Sequence, residues 1–369
     1  MKLFATVLGI GTALSMILPT LSTPRELIIK SAYGVSGFSS DGKNIYTYIM
    51  EDGIRSYTTM TGSLTKTLKL PQELKGKAMG SVQFLKNQDY YLNNPKDNRS
   101  TSLYLIDSKT GKIIWTYKPT WKANSDNNGI FFSVNETAGI VVITPRTPGF
   151  YGIDTITESG ELDLISLKTG KLIVKTILKE DYRNTLQGYP AENLRELICN
   201  GVSVTPDGKK IIYTYSNLIN LIDLKTLKIV ETNVLEGGTT KNANMILNVK
   251  NDTMLAGFFS KETNEVTHDF IQYPAIYTWS TGKLVRVFKT HKNWIPIQRF
   301  SPDGKMVLIG SQNENSTIIG SLWLWDVQTG KKIREFPNFE LGSGVAFSPD
   351  SSRIAYGGSN DTIRVWQIR

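Results

Sequence analysis

The phrase Phe300-Ser-Pro-Asp-Gly-Lys305 returns in degraded form along the chain, and a repeat of this spacing restricts the fold more than any other feature. The copies are Phe38-Ser-Ser-Asp-Gly-Lys43, Phe84-Leu-Lys-Asn-Gln-Asp89, Ser133-Val-Asn-Glu-Thr-Ala138, Val204-Thr-Pro-Asp-Gly-Lys209, Asn248-Val-Lys-Asn-Asp-Thr253, Phe300 to Lys305 itself and Phe347-Ser-Pro-Asp-Ser-Ser352. Each lies between two apolar, β-branched or aromatic stretches. Proline presets one backbone angle and Gly or Asn tolerates a positive one, so each copy predicts a tight turn between two strands.

A second turn follows most copies: Met60-Thr-Gly-Ser63, Ser108-Lys-Thr-Gly-Lys112, Leu167-Lys-Thr-Gly-Lys171, Leu224-Lys-Thr-Leu-Lys228, Ser280-Thr-Gly-Lys283 and Val327-Gln-Thr-Gly-Lys331. Two hairpins per unit make four strands. Units of about 40 to 50 residues, repeated seven times with little helical periodicity, predict an all-β, seven-bladed β-propeller. A chain of 369 residues with 40% apolar content suits radial repetition better than one ordinary core, and one domain is expected over residues 23–369. The chain stops at Ile363 to Arg369, the third strand of a unit that lacks its outermost one. Arg25-Glu-Leu-Ile-Ile-Lys30 is therefore expected to act as an N-terminal strand closing the last blade and removing an open edge.

The N-terminus differs in kind. Lys2 precedes an apolar run from Leu3 to Leu18, shorter than the roughly 20 residues that span a bilayer, with small residues at Thr20 and Ser22. Residues 1–22 read as a secretory signal peptide cut between Ser22 and Thr23, with an uncleaved apolar anchor as the alternative. The expected location is periplasmic or secreted, with no stable membrane span after cleavage. Cys199 is the one cysteine, which excludes an intramolecular disulfide framework or a multi-cysteine metal site, and its apolar surroundings predict a buried, inert thiol. The formal charge of +9 suits an anionic polymer or an acidic protein, although lysines concentrated in turns are accounted for by solvation alone. No nucleic-acid partner is expected.

The segment Val287-Phe-Lys-Thr-His-Lys-Asn-Trp-Ile-Pro-Ile-Gln-Arg-Phe-Ser-Pro-Asp-Gly-Lys305, followed by Leu322-Trp-Leu-Trp-Asp-Val-Gln-Thr-Gly-Lys331, resembles a complete unit of the WD-repeat family, with Trp325-Asp326 as its tryptophan-aspartate pair. The resemblance implies that His291, Ser311 and Trp325 belong to a buried structural hydrogen-bond set. The last unit repeats the pattern less fully and ends at Trp366-Gln367. The resemblance is specific over residues 285–369 and architectural before them. Leu103 to Trp115 also resembles the repeats of quinoprotein-type propellers, a family of dehydrogenases and of cofactor-free envelope scaffolds.

With strands named a to d from the inside of each unit outward, the short turns are a–b and c–d connections. The long segments 93–102, 119–128, 144–160, 181–196, 260–275 and 312–321 are b–c or d–a connections, all on the opposite rim. Loops of that length are usually functional or disordered. Their aromatic and basic residues suit protein recognition: Trp121, Lys122, Arg146, Phe150, Tyr151, Tyr182, Arg183, Tyr189, His268, Phe270, Tyr273 and Trp294. Residues 181–196 also read as a short helix interrupted at Gly188 and Pro190.

The inventory for chemistry is thin. His268 and His291 are the only histidines, and no phosphate loop or nucleophile elbow is present. Neither a metal nor a cofactor is expected. Asp154, Glu158, Glu161, Asp181, Glu262 and Asp269 read as solvated loop acids. Asn-x-Ser/Thr triplets begin at Asn98, Asn135, Asn251, Asn315 and Asn360, some of them in turns where Asn is expected anyway. The sequence thus points to an exported, non-catalytic interaction platform. A propeller-type hydrolase or lactonase and a scaffold of envelope assembly are the alternatives.

Overall fold

In a computed structural model, the described residues are 26–30, 34–49, 53–68, 70–74, 81–85, 90–95, 102–120, 129–146, 161–177, 199–215, 218–237, 248–250, 252–263, 270–289, 297–312, 319–340 and 344–369. The first strand, β1 (Glu26–Lys30), is followed by β2 (Val35–Phe38), β3 (Asn44–Ile49), β4 (Gly53–Thr58) and β5 (Leu64–Leu68), which form one antiparallel sheet. A 3-10 turn at Gln72–Leu74 leads to β6 (Ser81–Phe84), β7 (Tyr90–Asn94), β8 (Leu103–Asp107) and β9 (Ile113–Tyr117). The third sheet contains β10 (Gly129–Asn135), β11 (Ile140–Arg146), β12 (Glu161–Ser166) and β13 (Leu172–Ile177). The fourth contains β14 (Cys199–Val204), β15 (Lys210–Tyr215), β16 (Leu218–Asp223) and β17 (Ile229–Val234). The fifth contains β18 (Asn248–Lys250), β19 (Thr253–Thr263), β20 (Phe270–Thr278) and β21 (Leu284–Val287).

The rest of the chain, β22 (Ile297–Phe300), β23 (Met306–Gln312), β24 (Ile319–Asp326), β25 (Lys332–Glu340), β26 (Val345–Phe347), β27 (Arg353–Gly358) and β28 (Thr362–Gln367), joins β1 in one eight-stranded sheet. Its halves, β22–β25 and β26–β28 with β1, meet through the pairing of Phe339 with Gly358. The separate four-stranded sheets therefore number five among the described residues, against the seven expected. The long β25 carries its end across to the next group of strands and merges the two. The architecture is an all-β propeller.

Strand β1 lies antiparallel to β28 from Glu26↔Trp366 to Lys30↔Thr362, and Arg364 forms an ion pair with Glu26 across that pairing. The core is divided among clusters that each join consecutive groups of strands. Leu92, Leu105 and Trp115 of one sheet pack against Val141, Ile143 and Ile165 of the next. Ile29 of β1 packs with Ile363 and Val365 against Val35, Ile45 and Tyr57.

Side-chain bonds show why the repeated phrase recurs. The hydroxyls of Ser39, Thr205, Ser301 and Ser348 donate to Asp41, Asp207, Asp303 and Asp350 at 2.5–2.6 Å. The same hydroxyls accept the backbone N–H of Asn44, Lys210, Met306 and Arg353, closing each turn. In the c–d turns Asp107, Asp223 and Asp326 accept both the N–H and the hydroxyl of the threonine three residues on. Bonds from Ser348 and Ser352 hold the Asp350 carboxyl down to about 2. Two copies of the phrase sit in a shifted register: the turns fall at Glu136–Gly139, between Asn135 and Ile140, and at residues 251–252, between Lys250 and Thr253.

The closing strand supplies a direct test. Ile29 is buried and Ile28 is 44% exposed. Ile29→Ala is expected to lower unfolding free energy by about 2–4 kcal/mol and Ile28→Ala by less than about 1 kcal/mol, as measured by denaturant titration. Deletion of residues 24–31 is expected to lower the melting temperature or cause aggregation, and an unchanged melting curve contradicts the closure.

Candidate functional site

The antiparallel order sorts the connections onto two rims. No a–b or c–d turn exceeds five residues, whereas every connection between described strands that is longer than five is b–c or d–a. The short-turn rim is tied together from blade to blade. Trp115 of β9 donates its indole N–H to the Leu167 carbonyl at 2.9 Å, lying over the turn that follows β12. A Cβ on Gly170 would come within 2.6 Å of that ring, and Gly170 has φ +66°, so the glycine of this Thr-Gly-Lys turn is required twice over. Arg286 of β21 makes the same reach to the carbonyls of Gln328 and Thr329, Lys66 of β5 to that of Ser108, and Asn233 of β17 to that of Ser280.

On the long-loop rim the structure revises the segments expected there. Residues 93–94 belong to β7, 144–146 to β11, 260–263 to β19, 270–275 to β20, 312 to β23 and 319–321 to β24, so four of the connections contract, to 95–102, 147–160, 264–269 and 313–318. Tyr273 is 7% exposed within β20, paired with Phe258 across the ladder, and is not a rim contact. Pro274 pairs with Gly257 inside the ladder, so β20 continues through a proline into the segment expected as a connection. Arg146 ends β11 and Phe270 begins β20, with side chains outside the described residues. Trp121, Lys122, Phe150, Tyr151, Tyr182, Arg183, Tyr189, His268 and Trp294 lie outside the described residues, as do the helix expected at 181–196, the leader and His291. Cys199 opens β14, with its thiol likewise outside them.

A family model for the WD domain, G-beta repeat, matches residues 331–367. Over 149 residues the chain is 27% identical to the serine-threonine kinase receptor-associated protein of Gallus gallus, a match covering 40% of this chain and 37% of the relative. The chain thus matches little more than a third of that relative's length. The β-propeller domain of Cps50 (Swd1) from Myceliophteria thermophila superposes with a TM-score of 0.64 and 15% identity, over 94% of this chain and all of that one.

The chain has a β-propeller fold, and its residues 331–367 match a WD repeat.

Within this propeller the tryptophan-aspartate pair, Trp325-Asp326, divides its work. Asp326 closes its turn through Thr329, while the Trp325 ring packs edge-on against Phe288 at 5.6 Å and its indole N–H is buried without a partner. Ser311 is fully buried and its hydroxyl also lacks a partner, and Trp366 packs edge-on against Phe336 with Arg334 over its ring. Asn135 accepts the Ala138 N–H and Asn360 has φ 62°, so both triplets start on turn residues. Of the acids expected in loops, Glu161 opens β12, where it pairs with Lys175 at 3.5 Å, and Glu262 lies in β19 with its side chain outside the described residues. No group of three or more potential metal ligands occurs among the described residues.

A polar cluster that sequence reasoning passed over lies between β9 and β12, beside the start of the 147–160 connection. Asp163 is fully buried. Its Oδ2 accepts the Tyr117 hydroxyl at 2.6 Å and its Oδ1 has no partner. Burial raises the Asp163 pKa, opposed by the Tyr117 bond and by Lys175, whose ammonium also reaches Thr120 at 3.1 Å. Burial likewise raises the Tyr117 hydroxyl. In the next blade Asn220 holds the equivalent place, with its carbonyl bonded by Thr232 and its amide nitrogen unpartnered. An alternating strand with one polar residue on its buried face was the signal present in the sequence. Arg299 of β22 differs from Asp163 and Asn220 in being exposed as a residue, while the protein around its guanidinium lowers its pKa by desolvation.

The sign of the Asp163 effect is definite. A carboxyl whose folded pKa lies above its unfolded value favours the folded state when protonated, and that contribution is lost as pH rises from below 3.8 through the raised value. In melts across that window, the stability of Asp163→Asn relative to the native chain is expected to increase with pH. Tyr117→Phe leaves both carboxyl oxygens bare and is expected to cost about 1–3 kcal/mol at neutral pH. A difference between native and Asp163→Asn that does not vary with pH contradicts this account.

Proposed function

We propose that the chain is an exported, non-catalytic propeller of seven blades that binds a protein partner through its long-loop rim. The seven-blade count follows from treating the two halves of the eight-stranded sheet as separate blades beside the five four-stranded ones. One observation carries the binding reading: every connection longer than five residues falls on the same rim, while the opposite rim is closed by local bonds and by arms from neighbouring blades. Sheets locked in a ring hold such loops on a rigid base, so binding needs little rearrangement beneath them. WD-repeat propellers commonly serve as protein-interaction platforms, and the name of the chicken relative records association with a receptor. Export is supported by Lys2 and the apolar run at Leu3 to Leu18. Among the described residues no helix is long and apolar enough to cross a membrane.

The test is capture of the partner from the native compartment under mild crosslinking, with the native chain and with Trp121→Ala, Tyr151→Ala and Tyr189→Ala combined. The combined variant is expected to lose at least about tenfold in capture, the scale of one interface anchor, with its melting temperature unchanged. Equal capture by both chains contradicts a site on this rim.

A further inference from the structure

The short-turn rim carries a charge asymmetry that its structural role leaves unused. On the blades β22–β25 and β26–β28 with β1, the arginines tie elements together, and of the lysines in the short turns Lys305 and Lys331 stand exposed. Arg353 donates to the Gly42 carbonyl and the Thr59 hydroxyl, Arg369 pairs with Asp303, and Arg286 reaches from β21 to the turn after β24. On the three blades from β6 to β17 the turns present Lys112, Lys168, Lys171, Lys209, Lys225 and Lys228, all exposed. None of these six is within ion-pair distance of an acid among the described residues. The acids of the sector are engaged locally. Asp107 and Asp223 accept bonds inside their own turns, Asp207 is bound by Thr205, and the turn holding Lys168 and Lys171 has Ser166 where its neighbours have aspartate.

We infer that this lysine sector of the short-turn rim docks on an anionic lipid surface. Two features of the molecule favour a bilayer over a folded acidic partner. The sector is made of lysines without arginine or aromatic anchors, which suits diffuse attraction to a charged plane better than the desolvated contacts of a protein interface. The path of the chain points the same way. Strand β1 pairs with β28 so that Glu26 lies opposite Trp366, at the end where c–d turns sit. The chain preceding Glu26, with its apolar run at Leu3 to Leu18, therefore joins the fold at this rim. A membrane that held that run would lie on the side of the lysines, with the long loops on the far side of the ring. The inference rests on the exported reading above.

The experiment uses residues 23–369 and sedimentation with vesicles of phosphatidylcholine alone or with about a third phosphatidylglycerol. Binding to the anionic vesicles alone is expected, and it should be abolished by about 0.5 M salt, where the screening length is only a few ångströms. Reversing Lys168, Lys171, Lys225 and Lys228 to Glu is expected to weaken it by more than about a hundredfold, given the contribution of each lysine near such a surface. Lys305→Glu with Lys331→Glu, on the other side of the rim, changes net charge as much as Lys168→Glu with Lys171→Glu and serves as the control for that pair, and circular dichroism shows that each variant is folded. Equal binding to both vesicle types overturns the inference. So does binding of polyglutamate without binding of anionic vesicles, or a loss in the control as large as in the Lys168→Glu, Lys171→Glu pair. Because the reversed lysines lie on the opposite rim, partner capture should survive in the quadruple variant. Failure of lipid binding with capture intact leaves the platform reading standing and removes this inference alone.

Discussion

A ring of sheets has one seam, and the pairing of β1 with β28 is the interaction on which the other contacts depend. Without it, β28 would present an unpaired edge and Ile363, Val365 and Ile29 would lose the neighbours that join the last strands to the first sheet. The Glu26–Arg364 ion pair lies on the same junction, and Arg353 reaches across it to the Gly42 turn. Closure converts a row of pairwise contacts into a ring in which each blade is held on both sides.

The outer edges are managed by a recurring irregularity. The c–d pairing shifts register at Ser56/Tyr57, Leu105/Ile106, Leu164/Ile165, Leu221/Ile222, Ile276/Tyr277 and Leu324/Trp325. The extra residue in each outer strand is Thr65, Ile114, Ile173, Val230, Val285 or Ile333, and the last five are about half exposed. A bulge at this place twists the edge and interrupts the row of free backbone groups that would otherwise template another strand. The residue after the bulge is the arm laid on the next blade, as in Lys66, Trp115 and Arg286. One local device therefore both protects an edge and couples neighbours.

Much of this was legible in the sequence because it is local. A hydroxyl two residues before an aspartate, or an aspartate three before a threonine, closes a turn with its own atoms, and Ser301, Asp303, Asp326 and Thr329 repeat that chemistry wherever a hairpin is needed. Missing strands at one end and a spare one at the other foretold the closure. What was not legible depends on distant partners. The merging of two strand groups through Phe339 and Gly358, the burial of Tyr273 in an extended β20, and the meeting of Tyr117 with Asp163 across a blade boundary leave no short-range signature. The candidate rim was legible only as a set of loop lengths. Composition names aromatic and basic residues there, but which of them converge depends on loop conformation that spacing does not encode.

The two-rim account makes the long-loop side the binding face and the short-turn side the tied one. Crosslinking of the native partner complex with a lysine-reactive reagent, followed by mass spectrometric mapping, tests that division most directly, because both rims carry lysines. The account predicts links from the partner concentrated on Lys122, Lys179 and Lys292 of the long connections. Links concentrated instead on Lys112, Lys171 and Lys228 would contradict it.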